Sequence, residues 1–132
     1  MTTPSAAALE SCFDQAELSA RGQGFAPCAD WAPHPKFPGV RLKTLAPGAV
    51  TDGRLSCALV RIDPGCRLEA HAHDPQWELH EVVQGAGVAI IDGNELDYRP
   101  GKLAVIPAQT MHSVTASEQG LVLLAKFFPA LA

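Results

Sequence analysis

Turn signals punctuate this 132-residue chain so regularly that they exclude long helices from most of it. Beyond Val40 they run Pro47-Gly48, Pro64-Gly65, Asp74-Pro75, Gly85-Ala86-Gly87, Asp92-Gly93, Pro100-Gly101 and Pro107. Proline fixes φ and removes a backbone donor, while glycine opens left-handed φ, so each signal stops a regular element. Between them lie runs rich in β-branched and other apolar residues: 40–45, 55–62, 67–73, 77–84, 88–91, 95–99, 103–106, 112–115 and 121–128. Short strands with turn signals at steps of about 8 to 12 residues predict an all-β sandwich or barrel. Asp92-Gly93 marks a tight hairpin between 88–91 and 95–99.

The first 39 residues read differently. Residues 5–20 allow a short helix capped by Ser5, with Leu9, Cys12 and Phe13 on one side. Pro27, Pro33, Pro35 and Pro38 then predict an extended segment that closes one end of the barrel or crosses to a partner subunit. We therefore divide the chain into a Pro-rich extension, 1–39, and a β-barrel domain, 40–128, a size that suits one core. The last run, Leu121-Val122-Leu123-Leu124 with Phe127 and Phe128 beyond it, reads as an apolar edge strand that needs covering. A homodimer would cover it; so would the Pro-rich extension.

Charge and cysteine content narrow the partners. Ten Lys and Arg against 14 Asp and Glu give a net charge of -4 with no basic cluster, which argues against nucleic acid. No stretch is apolar and long enough to span a bilayer, and the N-terminus lacks the basic and apolar regions of a secretion signal. The four cysteines, Cys12, Cys28, Cys57 and Cys66, form no C-x-x-C pair and are read as reduced thiols in a cytoplasmic protein.

Two of the five histidines stand in His71-Ala72-His73. Residues two apart on a strand face the same way, so both imidazoles can converge on one point. Asp74-Pro75 turns the chain there, and an antiparallel return of 77–84 would bring Glu78 beside the pair. His112, at the head of a later strand, can supply a fourth donor. His80 lies two residues beyond Glu78 and shares its inward face. It suits an acid/base group, a partner supporting the ligands, a substitute ligand, or a histidine satisfied at the barrel wall. Glu69 shares parity with His71 and His73, but an exposed edge carboxylate accounts for it as well. His34, among prolines, reads as a surface residue.

The segment Gly65-x5-His71-x-His73-x4-Glu78-x6-Gly85 resembles the first motif of the cupins at each of its positions. Gly101-x5-Pro107-x-Gln109-x2-His112-x3-Ala116 is similar to the second motif, with Gln109 in place of a glycine and Ala116 in place of an asparagine. The resemblance spans about residues 55 to 128. It implies a cupin-type double-stranded β-helix, or jelly-roll, barrel. It also implies one divalent metal ion per chain held by His71, His73, Glu78 and His112. Gln109 implies a different loop before His112, because a glycine there usually serves a turn that needs free φ.

Three histidines and a carboxylate leave open positions on an octahedral ion, which suits Fe, Mn, Ni or Co, with Zn also accommodated. The expected ligand is a small polar molecule that chelates the metal. The first functional reading is a mono-cupin enzyme of dioxygenase, isomerase or lyase type, with His80 as the catalytic acid/base residue. The alternative is a freestanding ligand-binding sensor without catalysis. Glu78 to Gly85 also looks like the effector domains of arabinose-type regulators, whose helix-turn-helix has no counterpart here.

Overall fold

The computed structural model describes residues 12–131. Of the span 5–20 that allows a short helix, residues 5–11 lie outside that range; residues 12–14 are helical, and Glu17–Leu18 are extended instead. Ten strands follow: β1 (Glu17–Leu18), β2 (Ala26–Pro27), β3 (Ala32–Pro33), β4 (Val40–Ala46), β5 (Ser56–Ile62), β6 (Arg67–His71), β7 (Trp77–Ile91), β8 (Asn94–Tyr98), β9 (Leu103–Ile106) and β10 (His112–Phe128). A 3-10 turn, Gly48–Val50, follows Pro47. The all-β expectation holds. No described helix is long and apolar enough to cross a membrane.

Two of the expected breaks do not occur. Residues 77–84 and 88–91 form one 15-residue strand, β7, and residues 112–115 and 121–128 form one 17-residue strand, β10. Breakers that normally end strands here make register shifts: β10 pairs with β7 on both sides of an irregularity between Ala116 and Leu121. Gly85 sits at φ 81°, where a Cβ would meet the Gly120 carbonyl oxygen. The absence of a side chain lets the two bulged backbones touch, so the strand bends rather than stops.

β10 is not an edge. It pairs with β5 over Leu121 to Phe127, with β6 near His112 and with β7 almost end to end. Its apolar residues are therefore core: Val114, Leu121, Leu123 and Ala125 are at most 2% exposed. The apolar run reflects burial on both faces of a central strand, which a sequence cannot distinguish from an uncovered edge.

The Asp92-Gly93 hairpin forms as expected. Both residues have positive φ, 50° and 79°, and Ile91 faces Asn94 across the turn. The twist of such a turn matches that of the strands it joins. Alternation then carries Tyr98 inward, where it is 2% exposed.

The extension packs along the barrel. β3 pairs with β4. Trp31 stacks under the Arg61 guanidinium at 4.6 Å and donates its indole N–H to Asp14 at 2.7 Å. Lys43, 3% exposed, donates to the Ala29 carbonyl at 2.9 Å, which satisfies a cation that burial would otherwise penalise.

Candidate metal centre

Four side chains from three stretches of chain meet inside the barrel. His71 ends β6, His73 stands in the following loop, Glu78 lies near the start of β7, and His112 opens β10. Their candidate donor atoms all lie within 4.8 Å of one another. The expected hairpin is not how Glu78 arrives. β6 pairs with β10, setting His71 opposite His112, and Glu78 comes in on β7, which pairs with β9 and β10. Glu78 Oε1 lies 3.6 Å from His73 Nε2 and 3.1 Å from His112 Nε2.

Local hydrogen bonds aim these donors. His71 Nδ1–H donates to the Glu69 carbonyl at 2.7 Å, and His112 Nδ1–H donates to the Thr110 carbonyl at 2.9 Å. Each bond occupies one ring nitrogen and leaves Nε2, with its lone pair, for a ligand in the centre. Glu69 thus contributes its backbone; its side chain is exposed, as one of its two readings held.

The donor set fits a divalent cation. Glu78 Oε1 and His112 Nε2, 3.1 Å apart, are buried and satisfy no hydrogen bond among the described residues. Buried polar atoms left in this way are costly unless something else occupies them. Protonation is consistent with that. Burial, partly offset by neighbouring groups, pushes His71 and His73 below the ordinary histidine value, which favours the neutral imidazole that ligates. Burial would lower His112 as well, but Glu78 and the Thr110 carbonyl outweigh it and raise it. Burial alone would raise Glu78; its histidine neighbours, His112 and His80, outweigh it and hold the carboxyl far below the usual range. A cation of higher charge would take the place of the His112 proton.

His80 lies behind Glu78. It is 1% exposed and donates from Nε2 to Glu78 Oε2 at 2.7 Å, while its Nδ1 lies 2.9 Å from the Tyr98 hydroxyl. It does not line the cavity that reaches three of the four donors. That cavity, of about 340 Å³, is walled by residues including Leu42, Val60, Leu68 and Phe127, with His71, His73 and Glu78 at its inner end.

The extension reaches this cavity through residues 34–37. His34 Nδ1 accepts hydrogen bonds from the backbone N–H groups of Lys36 and Phe37, at 3.0 and 3.2 Å. Its ring stacks on Phe37 at 4.6 Å, and Phe37 in turn lies 5.8 Å from the His71 ring. His34 is therefore half-buried at the cavity wall, not a free surface residue. Residues 34–37 of the Pro-rich segment thus form part of the cavity wall.

Gln109 also departs from expectation. It adopts φ 64°, the left-handed conformation a glycine would take, so the loop before His112 keeps its turn. Its N–H donates to the His73 carbonyl at 2.7 Å and its side-chain amide donates to Asp74 at 3.1 Å. Two anchoring bonds offset the steric cost of that φ. Tyr98, His34, Lys36 and Phe37 were not legible as site residues. For Tyr98 a signal existed: counting the register back from the Asp92-Gly93 turn sets this single tyrosine opposite Gly87.

Comparisons with known proteins agree with this geometry. A family model described as "Cupin domain" matches residues 58–125. The dimethylsulfoniopropionate lyase DddW of Ruegeria pomeroyi is 31% identical over 88 residues, 66% of this chain; the match spans 57% of the lyase's own length. The structure of KdgF from a Halomonas species superposes with a TM-score of 0.66 at 29% identity, covering 76% of this chain and 86% of that one. An RmlC-like cupin from Shewanella frigidimarina shares the fold at 21% identity and a TM-score of 0.66, over 86% of this chain and 91% of its own.

Proposed function

The chain belongs to the cupin family, and from that premise we propose that it is a metal-dependent enzyme, of lyase type, acting on a small organic acid that chelates the metal. The observation that carries this reading is the His71, His73, Glu78 and His112 cluster, three of whose members line a largely apolar cavity. A divalent ion held by these four groups would act as a Lewis acid on a substrate oxygen. The donor set accommodates Fe, Mn, Ni, Co or Zn. The relationship to a lyase supports the reaction class over oxygenase and isomerase chemistry.

The rest of the cavity suits an anion with an apolar body. Leu42, Val60, Leu68 and Phe127 give the space beside the cluster apolar walls. Lys36 is the one Lys or Arg among the described lining residues. His34 accepts two backbone N–H bonds at Nδ1, so its neutral ring carries its proton on Nε2 as a donor. Burial lowers His34 and favours that neutral form.

The remaining attributes are part of the same reading. We take 1–39 as an extension and 40–128 as the catalytic barrel, acting as a cytoplasmic homodimer. The outward face bearing Trp77, Leu103, Val105 and Phe128, 42–63% exposed, supports pairing. The free thiols support a reducing compartment. The test is a panel of small carboxylates, sulfonium acids among them, against iron, manganese, nickel, cobalt and zinc forms, with products and oxygen uptake followed. Turnover to an elimination product is expected. Tight binding of one compound with no turnover in any metal form would favour the sensor instead.

A further inference from the structure

We propose that His80 and Tyr98 form a buried relay that fixes Glu78 as a ligand through Oε1 alone, keeping room on the metal for a molecule that chelates through two atoms. This rests on the reading of the cluster as a metal centre. It assigns His80 a positioning role in place of acid/base chemistry.

The directions of the hydrogen bonds follow from the groups themselves. Glu78 is ionised and can only accept, so the 2.7 Å contact requires a proton on His80 Nε2. In the Nε2–H tautomer Nδ1 keeps its lone pair, and the Tyr98 hydroxyl, 2.9 Å away, is placed to donate to it. Burial, with the Glu78 charge behind it, raises Tyr98 and keeps it a phenol able to donate. All three side chains are at most 5% exposed, so water does not compete. The relay engages Oε2 and turns Oε1 toward His73 and His112. A carboxylate is free to bind a metal through one oxygen or both. With Oε2 tied to His80, the second mode would break a buried, charge-assisted hydrogen bond. Four single-atom donors leave two positions on a six-coordinate ion; a two-oxygen Glu78 would leave one.

The experiment uses the full chain loaded with Co(II), with 4-nitrocatechol as the chelating probe. Wild type is expected to bind one equivalent of cobalt and to give a new visible band on titration with the catechol. His80→Phe frees Oε2. It should keep cobalt, change the cobalt spectrum, and bind the catechol at least 10-fold more weakly. His80→Gln places an amide N–H near the position of Nε2 and should restore most of that affinity. Tyr98→Phe removes one hydroxyl with little change in volume, and should fall between them. Catechol affinity and cobalt spectra unchanged in His80→Phe and Tyr98→Phe would overturn the relay. Should His80→Phe not fold, Tyr98→Phe decides alone. If wild type itself takes up no cobalt, the metal-centre reading fails, and the relay with it.

Discussion

His71 and His112 stand opposite each other in the β6–β10 register, with ring centroids 4.3 Å apart, and each donates Nδ1–H to the carbonyl two residues before it. The same local device on two strands far apart in sequence presents two Nε2 atoms to one point. Removing either should therefore have the same effect. His71→Ala and His112→Ala are each expected to weaken metal binding by ~10²-fold or more, against the 10–100-fold typical of losing an outer partner. Competition with a chromogenic chelator measures this; a variant that kept wild-type affinity would remove that residue from the ligand set.

Metal stabilisation should depend on pH in a defined direction. The His112 value is raised in the fold by Glu78. Its contribution in the metal-free protein is thus fully present below the ordinary value of about 6.5, and is lost as pH rises through the folded value. His71 and His73 are lowered, so acid adds protons to the unfolded chain first and weakens the fold, and protons also compete with metal. The rise in Tm on adding metal should be larger at pH 8 than at pH 6. Scanning calorimetry with and without metal would reveal the opposite order if this electrostatic account is wrong.

Gln109 offers a test of backbone strain. Gln109→Gly removes the penalty of φ 64° and also the bond to Asp74, and should change stability by no more than about 1 kcal/mol. Gln109→Val keeps the penalty, adds β-branching and loses the bond, and should cost ~2 kcal/mol. Urea unfolding of the metal-free forms distinguishes them; equal losses would contradict the argument.

Gly85→Ala should be costly. The added Cβ would meet the Gly120 carbonyl oxygen, and the residue sits at φ 81°. We expect a loss of ~2–4 kcal/mol, the size associated with backbone clash and strained φ. A midpoint in denaturant unchanged from wild type would mean that the β7–β10 bulge yields more easily than its contacts suggest.

Lys36, which lines the cavity, is expected to read the charge of the ligand. Lys36→Ala should leave metal content unchanged and weaken binding of a small carboxylate by about 2- to 5-fold, the upper range for an exposed ion pair. Calorimetric titration of the metal-loaded protein with paired acid and amide ligands checks this. An equal effect on both members of the pair would show that the ammonium does not read charge.

The all-β class, the hairpin at Asp92-Gly93 and the four-residue cluster were legible because each depends on local chemistry. Most turn residues stop strands where they occur, and the motif spacing sets His71, His73, Glu78 and His112 at positions that the fold brings together. What the sequence left open depends on partners distant in the chain. Whether Leu121 to Leu124 lie at an edge or in the centre is decided by β5 and β7 on either side. Whether His80 faces a substrate or supports Glu78 depends on Tyr98, brought in by a different strand. Strand alternation reports only inward or outward. The depth of a side chain, and what stands between it and the cavity, exist only once the barrel has closed.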